Sequence, residues 1–488
     1  MKQQTESKLG TMPVDRLLLG MGIPMILSMM LQAVYNIVDS AFVSNMAEGG
    51  ELALNALTLA FPVQMLMVAF AVGTGVGANA LLSKSLGRGD PGKASRTAGN
   101  ALFLGIVIYA ACLLFGLFGA DAYISTQTAN STILGMGTEY LRICCTLSFG
   151  VIFFALFEKL LQATGRSAFS TISQIIGAVV NIILDPIMIY GLLGMPAMGV
   201  RGAAYATVIG QVASAAAGLI FHLRFNRELK RSPRYMKPDA KVIREIYAIG
   251  LPAIIAQALM SLMTYGMNVI LGRIGEAAVT AYGLYYKIQQ FLLFAAFGLR
   301  DAITPVVSYN HGKRDRERIN AGISYGMRYT LIIMGAGMIA IELLARPFSA
   351  VFGLSGATQE LTIGAMRVIS LSFLFAGANV AFQGIFQALD AGPQSLVLSV
   401  CRQSLFVLPA AFAFSLIVGH DLSRLWLVWL TFLIAEGLTV LIACGFMRKI
   451  RREKIDVSEA GAGPRRTAGG VGSGKPAELR EETRISVE

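Results

Sequence analysis

The sequence is short of charged residues, histidine and tryptophan. Charged residues make up 14% of the 488 residues, and the chain holds 3 histidines, 2 tryptophans and 5 cysteines. A soluble domain carries roughly 25% charged residues, so an ordinary water-soluble fold is excluded. The cysteines form no CxxC motif and the histidines are scattered, which argues against a disulfide framework or a metal centre. We find no dense cluster of polar residues of the kind that an enzyme requires.

Long apolar runs take the place of the missing charge. Residues 101–120 and 404–419 contain no charged side chain, and 55% of the chain is hydrophobic. Since a helix needs about 20 apolar residues to cross the bilayer, these runs predict an all-α integral membrane protein of about twelve transmembrane helices. The predicted helices span 14–43, 52–83, 97–118, 132–162, 168–191, 201–223, 242–271, 278–309, 320–344, 360–388, 395–418 and 422–448.

Basic residues are concentrated in alternate loops. The loops after predicted helices 2, 6 and 8, and the segment after helix 12, are rich in lysine and arginine, while the opposite loops hold only Arg201, Arg273, Arg346 and Arg424. Lysine and arginine mark cytoplasmic loops, so both termini are expected in the cytoplasm. These loops also account for the net charge of +12 without a nucleic-acid partner.

The two halves of the sequence repeat each other at an offset of about 225 residues. Gly73 and Gly87 match Gly298 and Gly312, and Arg142 matches Arg367. Six helices return the chain to its starting side, so the repeats predict two six-helix bundles related by a pseudo-two-fold along the membrane normal, which is a transporter architecture. The expected units are an N-terminal lobe over 1–223, a basic cytoplasmic linker over 224–241, a C-terminal lobe over 242–448 and a disordered cytoplasmic tail over 449–488.

Several motifs resemble those of the multidrug and toxic compound extrusion (MATE) family. They are residues 23–24 (IP), 31–39 (LQAVYNIVD), 162–167 (QATGRS), 181–186 (NIILDP), 199–204 (GVRGAA) and 308–312 (SYNHG). The resemblance implies a monomeric secondary antiporter without a cofactor, which exports organic cations or other drugs in exchange for H⁺ or Na⁺ by alternating access. The chain is most similar to the bacterial DinF/MepA-like branch, which implies a location in the bacterial plasma (inner) membrane.

Two acidic residues in predicted helices are the main candidates for ion coupling. Asp39 and Asp185 each lie well inside an apolar helix, where a carboxylate costs about 2.5 kcal/mol or more. Predicted helices 7 and 10 lack the carboxylates of the NorM-like branch, which moves the expected cation site to the first half. The resemblance implies that both aspartates line one cavity in the outer half of the membrane, with Asn181 and Thr207 beside them.

The expected chemistry follows from burial of these carboxylates. A desolvated carboxylate favours its protonated form, and a second carboxylate nearby strengthens that preference. The same oxygens, with those of Asn181 and Thr207, could instead hold Na⁺. Either cation neutralises the cavity and weakens its hold on a cationic drug, and Pro186 offers a bend that responds to Asp185.

Structural roles are the alternative for each of these residues. Asp39 could cap a helix end, Asp185 with Pro186 could mark a helix-terminal turn, and Thr207 could serve packing. Asn36 and Asn181 could hydrogen-bond between helices.

Other polar residues inside predicted helices are candidates for the substrate cavity. They are Gln32, Tyr35, Asn36, Gln64, Gln162 and Gln211 in the first half, and Tyr265, Asn268, Tyr282, Gln289, Asn379, Gln383 and Glu436 in the second. Glu436 could instead pair with Arg402 across helices. Glu158 and Lys159 lie near a cytoplasmic helix end, where their side chains are expected to reach out to the interface.

Two other functions remain as alternatives. A lipid-linked oligosaccharide flippase of the same superfamily would need a more basic central cavity to hold a pyrophosphate. A membrane sensor or channel would not explain why buried carboxylates are predicted in only one half of a duplicated chain.

Overall fold

The protein is described by a computed structural model that covers residues 7–46, 49–230, 232–351 and 356–456. The described residues form helices joined by short loops, without a strand. The α-helices are α1 (Lys8–Thr11), α2 (Val14–Ser44), α3 (Gly50–Gly87), α4 (Pro91–Phe118), α5 (Ala120–Ser125), α6 (Ser131–Thr146), α7 (Phe149–Ala163), α8 (Ser167–Tyr190), α9 (Val200–Phe225), α10 (Ala240–Gly272), α11 (Glu276–Lys313), α12 (Arg316–Val351), α13 (Gly356–Ser370), α14 (Phe373–Ala388), α15 (Gly392–Val400), α16 (Val407–Val418) and α17 (Trp426–Ile450).

The described helices confirm a polytopic membrane protein. Ten spans are long and apolar enough to cross a bilayer, and the pairs α6–α7 and α13–α14 bring the number to twelve if each pair counts as one span. The sequence predicted each pair as a single helix, over 132–162 and 360–388. The structure bends these two spans by 46° and 51°.

The two bends share a sequence. Leu147-Ser148-Phe149 lies at the first bend and Leu371-Ser372-Phe373 at the second. Ser372 donates its hydroxyl hydrogen bond to the carbonyl of Ile369 at 2.7 Å, a local bond that competes with the helical ladder. A third predicted helix, 395–418, is interrupted by a π-helix at Cys401–Leu405. Hydropathy alone did not predict the two bends because the residues at them are as apolar as those of a continuous helix. The π-helix contains Arg402, Gln403 and Ser404, but polar residues within an apolar segment do not indicate a change in helical period.

Backbone geometry repeats between the halves as the sequence does. Left-handed backbone follows α3 at Gly89 (φ 74°) and recurs 225 residues later at Arg314 (φ 60°) after α11. The same offset joins Gly165 (φ 76°) after α7 to Asp390 (φ 56°) after α14. Two six-helix bundles with a pseudo-two-fold axis, as predicted, account for these pairs.

The halves meet near the ends that carry the basic loops. Helix α2 packs on α11, and α3 packs on both α10 and α11. Backbones approach closely there, since a Cβ on Gly87 would lie 1.9 Å from the carbonyl oxygen of Tyr309, and one on Gly77 would lie 2.1 Å from that of Ile246. Glycine is therefore required at both positions for the halves to close.

The segments outside the spans differ in part from the prediction. Helix α17 runs to Ile450 and continues as a π-helix over Arg451–Ile455, so helical structure extends past the predicted start of the tail at 449. The rest of that tail, 457–488, lies outside the described residues. In the predicted linker, the backbone N–H of Asp239 donates to Asn100 Oδ1 at 2.8 Å, which attaches the linker to α4.

Candidate functional site

Asp39 and Asp185 come from two different helices that pack against each other. Asp39 lies on α2 and Asp185 on α8. Asp185 is fully buried. Asn181, one turn earlier on α8, donates a hydrogen bond from Nδ2 to Asp185 Oδ1 at 3.1 Å. The structure therefore brings three of the four predicted coupling residues together.

Hydrogen bonds at both ends hold α8 against α2. Thr171 donates its hydroxyl to the carbonyl of Pro24 at 2.7 Å, and Tyr190 donates to the carbonyl of Phe42 at 2.7 Å. Neither carbonyl group is left to the bilayer, where an unmade hydrogen bond is costly. These two bonds set the register in which Asp185 faces α2.

Small residues bring α9 close to the same site. A Cβ on Gly210 would lie 2.7 Å from the carbonyl oxygen of Gly177 and 2.9 Å from Cβ of Asn181. Small residues are the usual means of close helix contact in membranes. Thr207 lies three residues before Gly210, on the same face of α9, because residues three apart are neighbours on a helix.

Each of the four predicted coupling residues has one buried oxygen that makes no hydrogen bond. These atoms are Asp39 Oδ1, Asn181 Oδ1, Asp185 Oδ2 and Thr207 Oγ1. Buried polar atoms are satisfied in the large majority of cases, so four exceptions at one site call for an explanation. Carboxylate, amide and hydroxyl oxygens are the donors that suit a hard cation, and carboxylates are also the groups that take up a proton.

The other first-half candidates divide between this site and other places. Tyr35 lies one helical turn before Asp39 on α2. Gln64 donates a hydrogen bond to the hydroxyl of Tyr140 at 3.4 Å. Gln32 on α2 and Gln211 on α9 are half-buried. The side chain of Asn36 lies outside the described part of the chain. Gln162 is placed elsewhere, among charged residues of α7 and α11 considered below.

The second-half candidates centre on a buried ion pair. Arg402 donates from Nε at 3.0 Å and from Nη2 at 2.7 Å to Glu436 Oε1. Asn379 donates to Glu436 Oε2 at 2.6 Å. Arg402 sits in the π-helix, an irregularity that often marks functional positions. The structure therefore shows the pairing of Glu436 with Arg402 that the sequence left as an alternative.

A cavity lies beside this ion pair. Its lining includes two of the candidates, Gln289 and Glu436, with Met260, Met263 and Phe432. Tyr282 and Tyr285 pack against Phe432 of this lining. Their hydroxyls are buried without hydrogen-bond partners.

The remaining second-half candidates do not line this cavity. Tyr282 stacks on Trp429, and Gln383 donates to Ser399 at 2.6 Å. Tyr265 and Asn268 are exposed.

Two sequence-based interpretations are wrong. Lys159 does not reach out to the interface, because its side chain is 3% exposed and its Nζ donates to Asp301 Oδ2 at 2.5 Å. Buried carboxylates are not confined to the first half, since Asp301 and Glu436 are buried in the second. The sequence does contain a feature that indicates Asp301 as a functional candidate. Arg300 and Asp301 are adjacent residues of opposite charge inside the apolar helix predicted over 278–309.

Comparison with known proteins agrees with this architecture. The family model MatE matches residues 24–187 and 252–413, which is more than half of the chain and one segment in each half. The chain is a member of the MATE family. It is therefore a multi-pass membrane transporter, and the resemblance drawn from its motifs is confirmed.

Two relatives and two solved structures show how far the similarity extends. The transporter is 26% identical over 448 residues, 92% of this chain and 96% of the relative, to the multidrug export protein MepA of Staphylococcus aureus (strain MRSA252). It is 24% identical over 438 residues, 90% and 94% of the two chains, to MepA of Staphylococcus saprophyticus. A MATE transporter of the MOP superfamily in an outward-facing conformation superposes with a TM-score of 0.85 at 23% identity, over 93% of this chain and 100% of that one. A MOP superfamily transporter from Pyrococcus furiosus gives 0.84 at 24% identity, over 92% and 100%. These structural likenesses establish the shared fold.

Proposed function

We propose that this transporter is a multidrug efflux antiporter that exports organic cations or related amphipathic drugs in exchange for H⁺ or Na⁺. The observation that carries the proposal is the group of four buried oxygens without hydrogen bonds, on Asp39, Asn181, Asp185 and Thr207. Similarity to MepA over nearly the full length of both chains supports multidrug export as the activity.

Exchange follows from competition for the two carboxylates. A cationic drug is attracted by Asp39 and Asp185 while both are ionised. Each proton or Na⁺ that enters from the side opposite the basic loops cancels one of these charges, so the attraction weakens and the drug leaves. Pro186 removes one helical hydrogen bond of α8 next to Asp185, and we propose that α8 bends there when the carboxylate changes charge.

The second-half cavity supplies the apolar part of the binding surface. Methionine side chains such as Met260 and Met263 adapt to differently shaped ligands, and Tyr286 and Phe432 add aromatic faces. Glu436 already accepts hydrogen bonds from Arg402 and Asn379. The cationic group of a drug therefore binds the carboxylates of the first half, Asp39 and Asp185.

The proposed organisation in the cell follows from the basic loops. We infer a monomer in the bacterial plasma membrane, with lobes over 1–223 and 242–448, a linker over 224–241 and both termini in the cytoplasm. The halves pack together near the basic-loop ends, which supports a state closed toward the cytoplasm.

The acidic first-half site favours this function over a pyrophosphate flippase. A pyrophosphate needs basic side chains, and the buried Arg402 near the second-half cavity is already paired with Glu436. A sensor without transport would have no use for ion-binding oxygens placed between helices of a duplicated transporter fold.

The decisive experiment is export of a fluorescent organic cation from vesicles with an imposed ion gradient. Asp39→Asn and Asp185→Asn should each abolish gradient-driven export while the protein remains inserted, because each removes a carboxylate that binds the coupling cation. Asp15→Asn, at the start of the same helix α2, is the matched control and should export normally. Normal export by both test variants would remove these residues from the mechanism.

The same vesicles decide the coupling ion. A Na⁺ gradient at equal pH on both sides drives export if Na⁺ is the coupling ion, and a pH gradient without Na⁺ drives it if H⁺ is. Export that ignores both gradients would contradict antiport.

A further inference from the structure

Four charged side chains from both halves meet in the interior of the transporter. Lys159 on α7 of the first half binds Asp301 on α11 of the second at 2.5 Å, with the two side chains 3% and 5% exposed. Arg300 donates to Asp301 Oδ1 from Nε at 3.0 Å and from Nη2 at 2.8 Å. Glu158 lies 4.0 Å from the lysine. We call these four residues the charge cluster.

A glutamine completes the first-half side of the charge cluster. Lys159 donates to Gln162 Oε1 at 3.1 Å, and Gln162 donates from Nε2 to Glu158 Oε1 at 3.0 Å. Gln162 therefore links the two first-half charges, and its polar groups are used within the cluster rather than beside Asp39.

Two contacts between a long basic side chain and a glycine occupy equivalent places in the repeat, with the basic residue and the glycine exchanged. A Cβ on Gly75 would lie 2.7 Å from Cγ of Lys159, and a Cβ on Gly384 would lie 2.7 Å from Cγ of Arg300. The repeat offset of 225 relates Gly75 to Arg300 and Lys159 to Gly384. In the first half the charge lies on the bent span and the glycine on the second span; in the second half this is reversed. Both basic groups consequently lie next to the junction of the halves.

Each half is electrically neutral within the charge cluster. Glu158 and Lys159 cancel in the first half, and Arg300 and Asp301 cancel in the second. Leaving one buried charge without a partner is strongly destabilising. When the halves separate, however, Lys159 still has Glu158 and Asp301 still has Arg300, so no charge is stranded.

We propose that the ion pair between Lys159 and Asp301 is a latch that holds the cytoplasmic side closed. When the latch opens, Lys159 pairs with Glu158 and Asp301 pairs with Arg300. The four are positioning residues of the transport cycle. The proposal rests on the proposed export function, because alternating access requires this junction to open and close. It gives opposite roles to the two carboxylates that surround Lys159: Asp301 favours the closed state, whereas Glu158 favours the open one.

The test measures opening directly, without drug or ion gradient. Ala80 is 2% exposed and packs in one cluster with Ile249 of the other half. A cysteine there, in a chain whose native cysteines are replaced, reacts with a membrane-impermeant maleimide in inside-out vesicles only when the halves part. A cysteine at the exposed Arg96 is the control, and its labelling should be unaffected by the variants.

The expected shifts have opposite signs. Asp301→Asn should label the Ala80→Cys reporter about tenfold faster than the parent, because the latch is lost. Lys159→Met removes the same bond from the other side and should act in the same direction, so it replaces Asp301→Asn if that variant does not insert. Glu158→Gln keeps the closed-state pair but removes the counterion of the open state, and should label more slowly than the parent.

Equal or faster labelling of Glu158→Gln would overturn the latch, as would unchanged labelling of both Asp301→Asn and Lys159→Met. A merely structural role would move all variants in one direction. Failure of the export function would appear separately, as a parent protein that moves no drug under any gradient.

Discussion

At the scale of single residues, Asp390 shows how the second half adapts a position that is glycine in the first. Its left-handed backbone (φ 56°) corresponds to that of Gly165, and aspartate is among the few residues that tolerate this conformation. The carboxylate binds Lys84 of α3 in the other half and lies 3.6 Å from Nε2 of His311. Lys454 Nζ donates to its backbone carbonyl at 2.8 Å. The Asp390 side chain thus joins the two halves through its ion pair with Lys84.

The surroundings of Asp390 give its contribution a definite pH dependence. Burial raises the pKa of Asp390, but the neighbouring His311 and the charge of Lys84 lower it more, so the net pKa lies below its ordinary value. A carboxyl with a lowered folded-state pKa stabilises the protein above the unfolded-state pKa of about 3.9, and the stabilisation is lost as the pH falls toward the folded-state pKa.

We predict that Asp390→Asn lowers the free energy of unfolding by about 1 kcal/mol at pH 7, because the ion pair is partly exposed. Asparagine also tolerates left-handed backbone, so only the charge changes. Thermal unfolding in detergent should show a smaller difference from the parent below about pH 4 than at pH 7. An undiminished difference below about pH 4 would contradict the assignment.

At the scale of helices, the contact between α8 and α9 decides where the cation-binding oxygens lie. Gly210 allows the two backbones to approach, and Asn181 packs directly against it. A larger residue at 210 would push α8 away from α9 and separate Asn181 and Asp185 from Thr207. The geometry of the site therefore depends on a residue that has no side chain of its own.

We predict that Gly210→Ala destabilises the protein by about 1–3 kcal/mol, as overpacking does in tightly packed cores, and slows export. Alanine favours a helix over glycine by about 1 kcal/mol, so propensity alone predicts the opposite sign. Gly445→Ala on α17 is the control, because a Cβ there meets nothing within 4 Å. Thermal unfolding of the two variants should move in different directions; equal behaviour would exclude the packing argument.

At the scale of the whole molecule, the sidedness of the basic loops decides which side of the membrane is closed in this state. The described halves are joined near the basic loops by α2, α3, α10 and α11. If these loops are cytoplasmic, as the charge pattern predicts, the charge cluster closes the cytoplasmic side and Asp39 with Asp185 faces the exterior.

We predict that a cysteine at Gln127, between α5 and α6, reacts with an impermeant maleimide in intact cells, whereas one at Arg88, between α3 and α4, reacts only after permeabilisation. Both residues are exposed, so accessibility within the protein does not distinguish them. The measurement uses a chain whose 5 native cysteines are replaced. The reverse pattern would invert the topology and place the charge cluster on the outer side of the membrane.

The sequence by itself determined the number of spans, the duplication, the sidedness expectation and the acidic residues Asp39 and Asp185. Hydrophobic length, loop charge and an isolated carboxylate in an apolar run are local properties, and the bilayer makes each of them costly to violate. The family was identifiable for the same reason, because its motifs lie in short continuous segments of the chain.

Only the tertiary structure decided which charges meet. Lys159 and Asp301 are 142 residues apart, and each has an oppositely charged neighbour in sequence that explains it locally. The place of Gln162 and the pairing of Arg402 with Glu436 likewise depend on the rotation and bend of whole helices. Those are set by packing, here by contacts such as Gly75 with Lys159, and a one-dimensional pattern of hydropathy does not contain them.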